Sequence, residues 1–90
     1  MITGRQVSVM PFMYILRCSD NTYYTGAAVD LEARIRQHNA GRGARYTRGR
    51  RPAALVYTEE FASMSEAMKR EKAVKRMSRR AKERLIGTEK

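Results

Sequence analysis

Ninety residues are enough for one small domain and too few for two. Hydrophobic residues make up 42% of the chain, which supports one modest core and excludes a large buried cavity for a bulky lipophilic cofactor. Nineteen Lys and Arg against nine Asp and Glu give a net charge of +10, so nucleic acid is the expected partner, well ahead of an anionic membrane surface.

Cysteine usage and the two ends of the chain set further limits. Cys18 is the only cysteine, so it forms neither an internal disulfide nor a zinc site, and it fits the reducing cytoplasm in which we expect the protein. No stretch approaches the roughly 20 apolar residues that a membrane-spanning helix needs. Residues 1–9 lack the apolar core of a signal peptide. We therefore expect a flexible leader at 1–11, one folded domain at 12–87 and a tail at 88–90.

The first predicted unit is a β-hairpin. Residues 12–18 have strand composition, residues 19–21 (Ser-Asp-Asn) have turn chemistry, and residues 22–28 return as a second strand. Tyr14 and Tyr24 lie on these strands, and either one alone is more typical of packing than of catalysis. They share a face of the sheet only if the connecting loop has an odd number of residues, as a three-residue turn would have.

A helix and a basic segment follow the hairpin. Asp30 is a suitable N-cap for a helix at 31–40, and Gly41 is a suitable stop. Residues 41–52, here called the basic segment, are rich in Gly and Arg and show no apolar period. We expect them to form a mobile loop.

The last third of the chain predicts one strand and two helices. A third strand is expected at 53–59, a capping box beginning at Ser63 introduces a helix at 64–77, and a short helix follows at 79–86. The order β-β-α-β-α-α predicts an α+β fold, with a small three-stranded antiparallel sheet flanked by helices.

One carboxylate stands out on the helix at 64–77. At about 100° per residue, Glu71 falls between Ala67, Met64 and Met68, and a carboxylate within an apolar stripe is costly unless it is paired or binds a metal. The alternative is an ion pair with Lys75, four residues further on, which contributes only about 0.2–0.5 kcal/mol. The helix alone does not favour one over the other.

The first helix repeats this pattern with a histidine. His38 projects between Leu31 and Ile35, and Arg34 flanks them on the same side. A single histidine on an apolar face is more often a hydrogen-bonded core residue, and an arginine at the edge of a helix is usually solvated. Their position beside a hairpin with two tyrosines favours a shared site.

The ordered set of these residues resembles the GIY-YIG nuclease family over residues 12–86, and within it the small standalone, UPF0213-like group. The set comprises Tyr14, Tyr24-Thr25-Gly26, Arg34, His38 and Glu71. The chain departs from the family pattern with Met13-Tyr14-Ile15 in place of Gly-Ile-Tyr, and with Thr25 where isoleucine is common. The late asparagine of many members has no counterpart here, since Lys82, Glu83 and Arg84 stand near that point.

The resemblance implies hydrolysis of a phosphodiester bond with one divalent cation. It assigns catalytic roles to Tyr14, Tyr24, Arg34, His38 and Glu71. Glu71 would hold Mg²⁺ or Mn²⁺, and a tyrosine would act as general base, with Arg34 favouring its phenolate and His38 relaying the proton. Sequence does not decide between the two tyrosines.

The remaining predicted contacts are to nucleic acid. Gly26 would allow close approach of a phosphate, and basic and aromatic side chains suit backbone contacts with base stacking. These residues are Arg42, Arg45, Tyr46, Arg48, Arg50, Arg51 and Lys75. DNA is the first candidate substrate, single-stranded or branched and with low sequence specificity. RNA cleavage by the same site and a non-catalytic nucleic-acid-binding module are the alternatives.

Overall fold

The computed structural model describes residues 10–87 as three strands and four helices. The elements are β1 Phe12–Arg17, β2 Tyr23–Ala28, α1 Leu31–Asn39, α2 Arg45–Arg48, β3 Ala54–Glu60, α3 Met64–Lys75 and α4 Arg79–Gly87. The predicted α+β class is confirmed, and the predicted order holds apart from the additional short helix α2. Residues 1–9 of the predicted leader and the predicted tail at 88–90 lie outside the described residues.

The sheet is antiparallel with β1 in the centre, in the order β2-β1-β3. Cys18 N–H donates to Thr22 O at 2.8 Å, which leaves a three-residue turn in which Asn21 adopts a φ of 70°. Tyr14 therefore faces Gly26 across the ladder, and Leu16 faces Tyr24. The odd loop length places both tyrosines on one face of the sheet, as the sequence condition required.

Both faces of β1 are buried, each by a different helix. On one face Tyr14 and Leu16 pack with Leu31 and Ile35 of α1. The opposite face carries a second cluster, formed by Met13, Ile15, Tyr57 and Val74, against which side chains of α4 also pack. Residues of α1 and α3 therefore approach the hairpin from opposite sides of the sheet.

The prediction of a mobile loop without regular structure was wrong for the basic segment. Residues 45–48 form α2, and Thr47 within it is fully buried. The side chain of Asn39 closes the segment by pairing with both backbone groups of Ala53, at 2.7 and 3.0 Å. Arg50 pairs with Asp20 of the hairpin turn at 3.0 Å. These long-range contacts order a segment that has no apolar period of its own.

Candidate active site

Tyr14 lies at the centre of the sheet and makes a buried hydrogen bond with the only histidine of the chain. Its side chain is 1% exposed, because β1 is paired on both sides and α1 covers this face. His38, fully buried near the end of α1, places Nε2 2.8 Å from the Tyr14 hydroxyl. Two of the predicted site residues are therefore in direct contact.

Gly26 makes room for this tyrosine. A Cβ on Gly26 would lie 2.6 Å from the Tyr14 hydroxyl oxygen and 2.7 Å from the ring carbon that carries it. Real Cβ atoms essentially never approach so closely, and the ring is held in a packed core. The space that a side chain would need on Gly26 is thus filled by Tyr14.

Burial and Arg34 set the protonation of this pair. Burial raises the pKa of Tyr14 to about 12, although the nearby Arg34 guanidinium acts in the opposite direction. The expectation that Arg34 would favour the phenolate is therefore outweighed by loss of hydration. Burial, with a smaller contribution from the Arg34 charge, lowers the pKa of His38 below its usual 6.5. Both groups are neutral at pH 7.

The other ring nitrogen of His38 contacts the basic segment, a contact that sequence reasoning missed. Thr47 Oγ1 lies 2.8 Å from His38 Nδ1, and a Cβ on Gly43 would lie 2.3 Å from the same nitrogen. No local pattern in this Gly- and Arg-rich stretch distinguishes Thr47 from a surface threonine. The fold alone brings these residues against the imidazole.

Tyr24 borders the same site with its ring. Its centroid lies 5.1 Å from that of His38 and 6.4 Å from that of Tyr14. Tyr46 stacks on its outer side with centroids 6.1 Å apart, and the Arg50 guanidinium lies 3.9 Å above the Tyr46 ring. No hydrogen bond to the Tyr24 hydroxyl is found within residues 10–87. The predicted Tyr24 and Tyr46 thus form one aromatic column that ends at Arg50.

Glu71 approaches from α3 and is ion-paired with Lys75 at 2.9 Å. Its side chain is 19% exposed, and its charge reaches Tyr14, whose pKa it helps to raise. The prediction that it sits in the middle of an apolar stripe was wrong, because Met64 and Met68 are exposed and α3 packs through Ala67 and other residues. Glu71 lies at the edge of the buried face, where a carboxylate keeps partial hydration.

The donor set around Glu71 fits a hard divalent cation and not zinc. Within residues 10–87 no group of three His, Cys, Asp or Glu side chains is close enough to hold a metal. Structural and catalytic zinc sites need three or four protein ligands, whereas Mg²⁺ keeps several waters and is often bound by one or two carboxylates plus substrate phosphate. The Lys75 ammonium group lies 2.9 Å from the Glu71 carboxylate, so this carboxylate already faces a positive charge.

An open cleft of about 460 Å³ lies at the free edge of β2. Side chains from β2, α2, α3 and α4 line it: Tyr23, Tyr24, Thr25, Tyr46, Lys75 and Lys82. Thr25 Oγ1 is buried and has no hydrogen-bond partner among the described residues. The cleft combines aromatic walls with two ammonium groups, which suits a nucleotide chain.

The arginines of the basic segment fall into two groups. Arg51 donates to Arg48 O at 2.9 Å and Arg50 to Tyr46 O at 2.8 Å, so both hold the backbone in place. Arg42, Arg45 and Arg48 are exposed, and their side chains make no hydrogen bond or ion pair within residues 10–87. Their charges are available to phosphates. Arg34 is half-buried and donates to Gln37 Oε1 at 2.9 Å.

This division predicts different effects from two substitutions. Arg45→Ala should weaken nucleic-acid binding on all sequences and reduce the slope of log K against log salt by about 0.7–0.9, as loss of one phosphate contact does. Arg51→Ala should instead lower the free energy of unfolding by about 1 kcal/mol, because it removes a hydrogen bond to the backbone. Anisotropy titrations in a salt series and urea unfolding would measure both. Equal salt slopes for the two variants would contradict the division.

Comparison with other proteins identifies relatives that are similar in sequence and in fold. The sequence profile of the GIY-YIG catalytic domain matches residues 10–84. A UPF0213 protein of Halobacterium salinarum is 54% identical over 77 residues, which cover 86% of this chain and 100% of the relative. A UPF0213 protein of Staphylococcus haemolyticus is 53% identical over 75 residues, 83% of this chain and 92% of the relative.

Two solution NMR structures have a similar fold. The UPF0213 protein of Bacillus halodurans aligns with a TM-score of 0.57 at 48% identity, and a protein from E. faecalis aligns with a TM-score of 0.61 at 41% identity. Each alignment covers 88% of this chain and 84% of the other. Among residues 10–87, no helix is long and apolar enough to cross a membrane.

Proposed function

The chain belongs to the GIY-YIG catalytic domain family, and on this premise we propose that it is a divalent-metal-dependent endonuclease that hydrolyses phosphodiester bonds in DNA. The observation that carries the proposal is the buried hydrogen bond between the Tyr14 hydroxyl and neutral His38, beside Arg34. Such a pair is suited to remove a proton from water at neutral pH. Single-stranded or branched DNA, cut with low sequence specificity, is the proposed substrate.

The Tyr14–His38 pair supplies the base in this mechanism. As water attacks phosphorus, the bond from phosphorus to the leaving sugar oxygen breaks. The proton of the water passes to the Tyr14 oxygen while the hydroxyl proton of Tyr14 passes to His38 Nε2 across 2.8 Å. The two transfers together avoid a free phenolate, which is costly at a group whose pKa is about 12. The burial of both side chains excludes bulk water from this exchange.

Arg34 and Glu71 would stabilise the negative charge that develops during the reaction. The Arg34 guanidinium stabilises the negative charge that develops on the phosphate oxygens. Glu71 would hold Mg²⁺ or Mn²⁺, and the cation would supply charge stabilisation at the leaving oxygen. Lys75, whose ammonium group lies 2.9 Å from Glu71, would bind a neighbouring phosphate of the substrate.

The basic surface holds the strand in place. Arg42, Arg45 and Arg48 contact phosphates, while Tyr46 and Tyr24 offer rings on which unpaired bases stack. A chain with +10 net charge and one small domain binds polyanions broadly, and this favours low sequence specificity. The cytoplasm is the proposed location.

The test is a cleavage assay with three labelled substrates of one sequence: single-stranded DNA, duplex DNA and RNA. Each is incubated with Mg²⁺, Mn²⁺ or EDTA, and binding is measured in parallel by anisotropy. We expect cleavage of single-stranded DNA with either metal and none with EDTA. Cleavage restricted to RNA would reassign the substrate. Salt-sensitive binding without cleavage under any condition would favour a non-catalytic binding module.

A further inference from the structure

His38 is held between two hydroxyl groups, and the second of them belongs to a residue outside the predicted site. Thr47 Oγ1 lies 2.8 Å from Nδ1, on the side of the ring opposite to Tyr14. Thr47 is fully buried, and its hydroxyl also lies 2.9 Å from the carbonyl oxygen of Ala44. The chain Tyr14–His38–Thr47–Ala44 is therefore continuous and enclosed.

The carbonyl group of Ala44 determines where the hydrogens of this chain lie. At one end, Ala44 O only accepts, so the single hydroxyl hydrogen of Thr47 is directed to it and the Thr47 oxygen accepts from His38 Nδ1. At the other end, the Tyr14 hydroxyl lies 2.8 Å from His38 Nε2, which is then a bare acceptor, so the Tyr14 hydrogen is directed to it. The Thr47–Ala44 contact thus selects the tautomer with hydrogen on Nδ1 and a free lone pair on Nε2.

A competing donor shows why Thr47 matters. The Ala44 N–H also points to Nδ1, at a long 3.4 Å, and would suit the opposite tautomer. In that tautomer Nε2 carries the hydrogen and cannot accept one from Tyr14. Gly43 has no side chain to occupy the space beside the His38 ring, where a Cβ would lie 2.3 Å from Nδ1.

We propose that Thr47 is a positioning residue, which fixes the Nδ1–H tautomer of His38 and so keeps Nε2 ready to accept the proton of Tyr14. The assignment rests on the proposed nuclease function for its catalytic consequence, but the tautomer itself is a property of the free protein. After proton transfer both hydrogen bonds remain, because Nδ1–H still donates to Thr47 and Nε2–H now donates to the Tyr14 oxygen. The ring does not need to move.

The experiment combines NMR of the imidazole with cleavage rates for three proteins. His38 is the only histidine, so ¹⁵N shifts of an untagged, histidine-labelled sample report on it alone. The wild type should show a pyrrole-type Nδ1 and a pyridine-type Nε2 at pH 8. Thr47→Val, which keeps the shape and removes the hydroxyl, should reverse the two types and lower the cleavage rate by about 100-fold. Thr47→Ser should restore both the tautomer and most of the rate.

The outcomes separate this inference from the proposed function. A wild-type ring with hydrogen on Nε2 would overturn the role of Thr47 whatever the activity, and so would a Thr47→Val protein that keeps the wild-type tautomer and rate. Amide spectra and thermal unfolding of Thr47→Val and Thr47→Ser establish that each is folded. If the wild type cuts nothing but Thr47→Val reverses the tautomer, Thr47 positions His38 and only the proposed function fails.

Discussion

Glu71→Gln is expected to abolish metal-dependent cleavage and to leave nucleic-acid binding intact. The substitution keeps the shape of a side chain that is 19% exposed, but removes the charge that would attract Mg²⁺ or Mn²⁺. We expect the rate to fall by about 10³-fold or more, the order seen when a preorganised electrostatic group is removed. Binding should stay equal or become tighter, since a negative charge near the phosphate path is lost. Single-turnover cleavage and anisotropy measure the two effects.

A matched control is available on the neighbouring helix. Glu83 pairs with Arg79 at 3.0 Å with the same four-residue spacing as Glu71 and Lys75, and its side chain is 48% exposed. Glu83→Gln changes the net charge equally and removes an exposed ion pair, which contributes little to stability. Mn²⁺ binding followed by electron paramagnetic resonance should be lost in Glu71→Gln and retained in Glu83→Gln. Equal cleavage by the two variants would remove Glu71 from the site.

The hairpin and the pairing of its tyrosines were predictable because they depend on local rules. Turn chemistry at residues 19–21 determines the loop length, and the two-residue period of a strand then determines which side chains share a face. One hydrogen bond, Cys18 N–H to Thr22 O, was enough to meet the condition. The same period explains why Tyr14 lies opposite Gly26.

The environment of Glu71 was only half predictable. Helical periodicity gives the angle between two side chains, but not which part of the helix surface meets the sheet. The helix packs through Ala67 and Val74, so Met68 is 48% exposed and Glu71 lies at the border. The ion pair with Lys75, one of the two alternatives left open by the sequence, is present. The metal-binding role of Glu71 remains a proposal.

The Thr47 contact was beyond sequence reasoning because it joins residues that are ordered only by the fold. Four residues of helix have little stability in isolation, and α2 persists because Asn39 and Arg50 fasten both sides of the basic segment. The count of arginines predicted a basic surface, but their division into backbone-holding and exposed groups follows from contacts across the fold. Sequence thus predicted residues of the candidate site, and the fold supplied contacts between distant residues that no local pattern encodes.

Tyr14→Phe is the second substitution with a large expected effect, and it separates the two tyrosines. It removes the hydroxyl that connects water to His38 in the proposed mechanism, and it leaves Nε2 without its partner at 2.8 Å. We expect a fall in rate of about 10²–10⁴-fold, the range of general acid–base catalysis. Tyr24→Phe removes the same atom from the adjacent ring and keeps its stacking on Tyr46, so it should cost less. The opposite ranking would make Tyr24 the base.

The pH profile of these proteins tests the same assignment without relying on the size of a defect. His38 must be neutral to accept a proton, and its pKa is lowered below 6.5, so the wild-type rate should fall only as pH drops through a value below 6.5. Above that point the rate attributable to the pair should be level, because the pKa of Tyr14 is about 12 and the hydroxyl remains protonated. A tyrosine that acted alone after ionising would instead give a tenfold rise in rate per pH unit up to its pKa.

In Tyr14→Phe the proton path is absent, so protonation of His38 loses its effect on the residual rate and the acid limb should disappear. A wild-type rate that rises tenfold per unit from pH 6 to 9, or an unchanged acid limb in Tyr14→Phe, would contradict the role of the Tyr14–His38 pair.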